Sequence, residues 1–323
     1  MPAAPARRKR HHWVPQFVMK QFAADEPPTA IHVLDKRTGE VGCWKIVDAA
    51  VEGHRYPEAV EAHLGELEGE VAPIITRWLA TPGERLSEHD RGSIALFVAL
   101  LHGRTPRASG FVRQHSQQLA PALLDLIRSD PKWLQRMREM VVAAHGEEAV
   151  PTLDDLRRAF EGESLRPIVE VRPQTATLLA MTSIESACAA LLRMRWTVLT
   201  SPPGRVFWLA DAPVLVRAAK GSTVIVGGGI GLPTADVFVP LASGFALHAS
   251  YKPQPTLRQI DDEEHDALRR WTLFYADRFT FSSVAFDPAD PIVVAAKRPK
   301  PRSMVDATEA KDQWTRVLRK VLD

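Results

Sequence analysis

The sequence predicts an α+β fold, in which a mainly helical first part packs with a mostly antiparallel sheet formed largely by residues after 196. Apolar residues repeat at helical spacing through most of the segment before Trp196. Short β-branched or apolar runs, divided by Gly and Pro, follow it. The 323 residues are 45% hydrophobic and 25% charged, which is typical of a globular protein with a packed core.

The helices and strands are predicted in chain order. The first part carries a helix over 14–22, a hairpin of strands 31–34 and 41–46, and helices over 57–79, 94–101 with Ser87 as N-cap, 114–127, 131–144, 152–160 with Thr152 as cap, and 174–195. The second part carries strands at 197–200, 206–209, 214–216, 223–226, 237–240, 246–249 and 280–284, with a helix over 261–274.

Composition shifts along the chain predict its domain organisation. Residues 1–9 are rich in Pro, Arg and Lys, which predicts a disordered basic arm before one globular α+β domain over 10–290. A Pro-rich basic linker over 291–305 is expected to lead to an amphipathic C-terminal helix over 306–323.

Charge and cysteine usage limit the class of protein. A net charge of +2 excludes a polycation that coats nucleic acid along its whole surface. Cys43 and Cys188 lie far apart and form no CxxC motif, so reduced thiols are expected. The sequence shows neither a signal peptide nor an uninterrupted apolar membrane span, which predicts a cytoplasmic protein. It does not indicate an oligomeric state.

The adjacent histidines His11 and His12 are the most distinctive candidate site residues. Imidazoles titrate near neutral pH and bind divalent metal ions, and this pair directly precedes an apolar helix that should anchor it. We expect only one of the two side chains to face inward. The alternative is that both continue the solvated basic arm.

Two carboxylates, Glu61 and Glu68, form the second candidate. They are seven residues apart and therefore lie near one line of the predicted helix, beside its apolar stripe. A carboxylate in that position is costly to bury unless a cation or a metal ion pairs with it. The alternative is that both belong to a solvated polar face of the helix.

Arg104 and Asp211 complete the candidate set. Arg104 ends an apolar helix, where it either caps carbonyl groups or reaches into a cleft to neutralise an anion. Asp211 stands at a strand end before Pro213, where it either forms a turn or presents a ligand from the strand edge. The glycine run 227–231 lacks the spacing of a dinucleotide-binding loop, and no Walker lysine, HExxH or GxSxG motif is present.

These motifs in this order resemble a mostly bacterial family, domain of unknown function 4238. The resemblance rests on His11-His12-Trp13-Val14-Pro15-Gln16-Phe17, the Glu61…Glu68 helix, Arg104-Thr105-Pro106 and Asp211-Ala212-Pro213-Val214, and it covers roughly residues 9 to 290. The chain has Met19-Lys20 where the family usually has Leu-Arg, and alanines flank Asp211 where the family often has Ser and Asn. The resemblance implies that the segments act as one unit, and it supplies no reaction.

Three interpretations of function stay open. The most general of them places the chain among toxins or phage-defence proteins, with unknown chemistry. In the first, it is a metal-dependent hydrolase, a nuclease or phosphodiesterase, in which Arg104 neutralises phosphate charge. The metal, Mg, Mn or Zn, would be held by His11, His12, Glu68 and Asp211, with Glu61 as a further catalytic candidate. In the second, the same polar residues form a structural salt-bridge network in a non-enzymatic module that binds nucleic acid or protein. In either case the run Arg7, Arg8, Lys9 and Arg10 would attract a nucleic-acid backbone.

Overall fold

A computed structural model describes residues 10–53, 58–114, 116, 125, 131–161, 171–217 and 229–296. The chain divides into two compact units, Met1–Phe111 with Pro173–Lys300 and Val112–Arg172 with Pro301–Asp323. The predicted arm at 1–9, the predicted strand at 223–226 and the predicted terminal helix at 306–323 lie outside the described residues. Most of the predicted helix 114–127 lies outside them too, and the predicted linker is described only as far as Ala296.

Most helices begin and end close to the predicted positions. They are α1 (Gln16–Lys20), α2 (Glu58–Ala80), α3 (Glu88–Gly103), α4 (Pro131–His145), α5 (Leu153–Glu161), α6 (Pro173–Met181), α7 (Ile184–Arg193), α8 (Asp262–Tyr275) and α9 (Pro291–Ala296). Residues 106–114 are also helical. Ser87 caps α3 as predicted, because its side chain accepts a hydrogen bond of 3.0 Å from the backbone N–H of Asp90.

The strands form three sheets in the first unit. They are β1 (Arg10–His12), β2 (Ala30–Asp35), β3 (Val41–Lys45), β4 (Val51–Gly53), β5 (Arg195–Thr200), β6 (Leu209–Ala210), β7 (Leu215–Arg217), β8 (Asp236–Ala242), β9 (Phe245–Ser250), β10 (Leu257–Gln259) and β11 (Phe279–Ser282). The sheet orders are β1-β4, β10-β5-β9-β8-β7 and β3-β2-β11-β6. Every pairing is antiparallel except that of β10 with β5. The predicted α+β class is confirmed.

The core of the first unit lies between the helices and the five-stranded sheet. Helix α3 packs against both α2 and α7, and its buried face includes Ile94, Phe97 and Val98. These residues join one continuous apolar cluster with the inward faces of β5, β8 and β9. A smaller cluster around Trp208 and Phe286 lies beside α9. The buried positions along α2 and α3 therefore anchor both helices in the core, beside the candidate residues.

The second unit is described mainly as two short helices. Helix α4 packs against α5, and Thr152 caps α5 as predicted by accepting a hydrogen bond of 3.2 Å from the backbone N–H of Asp155. Salt bridges on its surface join Arg138 to Glu147 and Arg158 to Asp155. None of the candidate site residues belongs to this unit.

No predicted element covers β1, β4 or the helical residues 106–113, and α9 lies inside the predicted linker. Three further features differ from the sequence prediction. The predicted helix over 174–195 is broken between α6 and α7, because the hydroxyls of Thr182 and Ser183 donate back to the carbonyls of Leu179 and Ala180 at 2.7 and 3.2 Å. Strand β10 is absent from the prediction because its Leu-Arg-Gln sequence has no apolar alternation. The strand at 206–209 shrinks to the two residues of β6.

The segment Gln174–Arg193 also passes a membrane-span test by length and composition, with a mean hydropathy of 1.4 and 22% of the tested window buried. Core helices of globular proteins pass the same test. It is the single segment within the described ranges to do so.

Candidate functional site

Arg104 and Asp211 are the two almost completely buried charged residues of the candidate set. Arg104 directly follows α3, and its backbone N–H caps that helix by donating to Leu100 O at 3.0 Å. Its side chain is 2% exposed and reaches two other segments. Nε donates to the backbone carbonyl of Trp13 at 2.9 Å, and Nη1 donates to Glu68 Oε1 at 2.7 Å. One guanidinium therefore joins the N-terminal segment to α2.

Trp13 continues the connection to the later strands. Its indole Nε1 donates to the backbone carbonyl of Asp211 at 3.1 Å, and its own backbone N–H donates to Ala50 O at 3.1 Å. The carbonyl of the same residue accepts the Arg104 hydrogen bond. Trp13 therefore connects the N-terminal segment around His11 and His12 to the end of α3 and to the backbone of Asp211.

The carboxylate of Asp211 is engaged by the backbone of a turn 66 to 68 residues later in the chain. Oδ1 accepts from the N–H of Asp277 at 2.7 Å, and Oδ2 accepts from Arg278 and Phe279 at 2.9 Å each. Burial raises the pKa of Asp211 to about 6, although the three hydrogen bonds lower it in part. This geometry fixes the turn between α8 and β11, and it occupies both carboxylate oxygens.

The two histidines lie on β1, which pairs with β4. His11 is 5% exposed, while His12 is partly exposed and its Nε2 lies 3.2 Å from the carbonyl oxygen of Val47. Alternation of side chains along a strand explains why two neighbours meet different surroundings.

His11, Glu61, Glu68 and Arg104 form one electrostatic cluster. Burial raises the pKa of Glu61 above its ordinary value; the charges of His11 and Arg104 lower it in part, and that of Glu68 adds to the rise. Glu61 Oε2 is buried and makes no hydrogen bond to any group in the described part of the chain. The seven-residue spacing on α2 therefore places both carboxylates near the guanidinium, and leaves Glu61 the less compensated of the two.

A cavity of about 290 Å³ lies beside the same motifs. Thr105, next to Arg104, and Ala212, next to Asp211, contribute to its wall. The rest of the wall includes four aromatic side chains (Phe111, Trp271, Phe274 and Tyr275) and two guanidinium groups (Arg107 and Arg217). The motif residues therefore form hydrogen bonds in the interior while their neighbours face a pocket.

Sequence reasoning missed the pocket residues and the role of Trp13. Trp271, Phe274 and Tyr275 lie at the i, i+3 and i+4 positions of α8, a spacing that indicates one shared helix face. That signal was available, but nothing in the sequence showed that Arg107 and Arg217 lie over the same face.

The structure brings together His11, Glu61, Glu68 and Arg104. Asp211 is connected to them through its backbone carbonyl and Trp13. Arg10 begins β1, and the remaining arm residues Arg7, Arg8 and Lys9 lie outside the described residues. Across the described ranges, no group of three or more His, Cys, Asp or Glu side chains is arranged to hold a metal ion.

Comparison with known proteins agrees with this arrangement of motifs. No curated protein and no solved structure matches the chain. A family model described as "Protein of unknown function (DUF4238)" matches residues 10–287, a range that begins at β1 and includes α2, Arg104, the Asp211 corner and β11. The resemblance seen in the motifs is confirmed, and the chain belongs to the DUF4238 family.

Proposed function

We propose that this chain is a non-enzymatic binding module in which the charged motif residues hold the fold together. The observation that carries the proposal is the engagement of Arg104 and Asp211 inside the chain: one bonds Trp13 and Glu68, and the other bonds three backbone N–H groups. Side chains that are buried and hydrogen-bonded to their own chain are poorly placed to act on a substrate.

The experiment compares thermal unfolding of the parent chain, Asp211→Ala and His12→Ala with a chelator and with Mn, Mg or Zn. A structural network predicts that Asp211→Ala unfolds at a lower temperature by the same amount in every condition, because the N–H groups of residues 277–279 lose their acceptor. His12→Ala is the comparison variant, with a smaller effect, since its ring makes a partly exposed contact. Stabilisation by a metal that both variants abolish would contradict the proposal.

Nucleic acid is the partner we propose for the basic arm. Arg7, Arg8, Lys9 and Arg10 offer four adjacent cations, each able to displace a counterion from a phosphate backbone. With four such contacts, affinity for a single strand should fall roughly fiftyfold between about 50 and about 200 mM salt. Replacing all four by Gln should flatten that dependence in a fluorescence-polarisation titration with a labelled oligonucleotide. An unchanged slope would remove the arm from the proposal.

A second candidate function is a hydrolase that uses the His11–Glu61 pair, acting as a nuclease or phosphodiesterase. The observation that favours it is the raised pKa of the Glu61 carboxyl, caused by burial, together with the buried Oε2. Perturbed carboxyl groups next to an imidazole are a feature of acid–base sites. The donors of the described residues do not assemble a three-ligand metal set, so we derive no step through a metal.

The test of this candidate is hydrolysis of labelled single-stranded and double-stranded oligonucleotides and of a chromogenic phosphodiester. Activity that disappears in both Glu61→Gln and His11→Ala, while both variants remain folded, would establish the hydrolase and overturn the binding module. Cleavage that persists in both variants would assign it to a contaminant.

A further inference from the structure

The cavity beside the motifs has the wall composition of a ligand site. Its volume of about 290 Å³ is at the small end of the range for ligand pockets, which suits a molecule of mononucleotide size or smaller. Among the described residues that line it, no side chain is acidic. The wall is formed instead by aromatic rings and guanidinium groups.

The two guanidinium groups lie over aromatic faces of α8. The guanidinium carbon of Arg107 is 4.6 Å from the ring centre of Tyr275, and that of Arg217 is 4.8 Å from the ring centre of Trp271. Each pair is a cation–π contact, which holds the guanidinium plane in a fixed position beside the cavity. The arginines are thus pre-positioned before any ligand enters.

The charges of the two arginines are compensated differently. Arg217 forms a salt bridge of 3.1 Å with Asp236, and its side chain is 61% exposed. Arg107 is half-buried and donates Nη1 to the backbone carbonyl of Tyr275 at 3.1 Å, and no carboxylate of the described residues pairs with it. A half-buried cation without a counterion at a cavity wall attracts an anionic group from outside the chain.

We propose that this pocket binds a nucleoside monophosphate unit, with the phosphate on Arg107 and the base against the aromatic residues of α8. Guanidinium groups pair with phosphate oxygens through two parallel hydrogen bonds, and bases of any sequence stack on aromatic rings. Phe274 is 50% exposed and lies among the residues that line the cavity. The inference deepens the proposed binding function and rests on it, since it names the ligand that the module would hold.

The experiment is isothermal titration calorimetry of the full chain with AMP, GMP, CMP and UMP, and with adenosine, inorganic phosphate and a five-nucleotide single strand. At least one monophosphate should bind, and adenosine and phosphate alone should each bind about tenfold or more weakly, because each lacks one of the two contacts. Equal binding by the strand identifies a nucleotide of a nucleic acid as the source; binding confined to monophosphates identifies a free nucleotide.

Two variants and a control assign the contacts. Arg107→Gln should weaken monophosphate binding about tenfold and leave adenosine binding unchanged, because only the phosphate contact is lost. Phe274→Ala should weaken both ligands by a similar factor, and its exposure keeps the fold intact. Arg85→Gln, an exposed arginine away from the cavity, is the matched control and should bind as the parent does.

Three results would overturn the inference: no binding of any monophosphate or of the strand, phosphate alone binding as tightly as a monophosphate, or equal weakening by Arg85→Gln. These outcomes are independent of the structural network. If Asp211→Ala still lowers the unfolding temperature without metal dependence, only the ligand assignment fails and the proposed scaffold stands.

Discussion

Replacement of Arg104 by Gln is the most informative perturbation of the polar network. The wild-type guanidinium is almost completely buried and joins Trp13 O and Glu68 Oε1 at 2.9 and 2.7 Å. Gln is shorter and uncharged, so it cannot span both acceptors. The change leaves a carboxylate without its cation and a backbone carbonyl without its donor.

The expected loss of stability follows from those two contacts. Hydrogen bonds that involve a charged group contribute about 1.5–3 kcal/mol each, and breaking a buried ion pair costs about 3–5 kcal/mol. The Glu68 side chain is 26% exposed, so water partly replaces the lost guanidinium. We therefore expect Arg104→Gln to lower the unfolding free energy by about 3 kcal/mol, toward the lower limit of the buried-pair range.

The measurement is equilibrium urea unfolding followed by tryptophan fluorescence, in the presence of a chelator. Arg77→Gln is the control, because it removes an ion pair of similar length, 3.0 Å, from an arginine that is 63% exposed. Exposed pairs of this kind contribute about 0–1 kcal/mol. A loss below about 1 kcal/mol for Arg104→Gln, equal to that of the control, would refute the structural interpretation.

Three further predictions concern neighbouring residues. Burial raises the pKa of Asp211 in the folded chain to about 6, above the ordinary 3.8, so between these pH values the folded chain binds a proton that the unfolded chain does not. The contribution of this proton to the free energy of unfolding is therefore greatest below pH 3.8 and is lost as the pH rises through 6. The stability difference between the parent and Asp211→Ala should therefore shrink by up to about 3 kcal/mol from acid to neutral pH, and a difference that grows with pH would contradict this. Trp13→Phe should cost about 1 kcal/mol in urea unfolding through loss of the indole donor to Asp211 O, and an unchanged midpoint would exclude that role. Glu61→Gln should raise the unfolding free energy at pH 7, because burial raises the pKa of the carboxyl and disfavours its charged form; a lower value at that pH would show that the charge is stabilising.

Sequence patterns a few residues long predict the secondary structure that depends on neighbouring residues, such as the β2–β3 hairpin and the start of α3. The hairpin of β2 and β3 follows from the alternation of Ile31 to Leu34 and from the turn that ends at Gly39, whose φ of 75° favours glycine. The start of α3 follows from the hydroxyl of Ser87, which caps it. These signals depend on residues only a few positions apart.

Non-local pairing explains what sequence patterns missed. Strand β1 exists because Arg10–His12 pair with Val51–Gly53, about forty residues away, and no feature of the His-His dipeptide indicates a strand. The sequence predicts that Asp211 either forms a turn or presents a ligand. The turn that its carboxylate holds is at residues 277–279, far along the chain. The sequence points to the motif residues, but the partners of those residues depend on tertiary contacts.

The candidate residues were therefore easier to find than their partners. The sequence predicts that Arg104 caps carbonyl groups or reaches into a cleft to neutralise an anion. Its side chain bonds a carbonyl of another segment and the carboxylate of Glu68. The sequence indicates that a buried carboxylate of α2 needs a cation or a metal ion, and Arg104 is the cation that pairs with Glu68. The pocket of Arg107 and Trp271 depends on three segments that meet only in the folded chain.

The central claim is that the charged motif residues stabilise the fold through each other, and a double-mutant cycle between Arg104 and Glu68 tests it most directly. Unfolding free energies of the parent, Arg104→Gln, Glu68→Gln and the double variant would be measured in a chelator. We predict a coupling free energy of about 2 kcal/mol between the two side chains. Additive losses with a coupling near zero, together with metal-dependent stability of the parent, would contradict the claim.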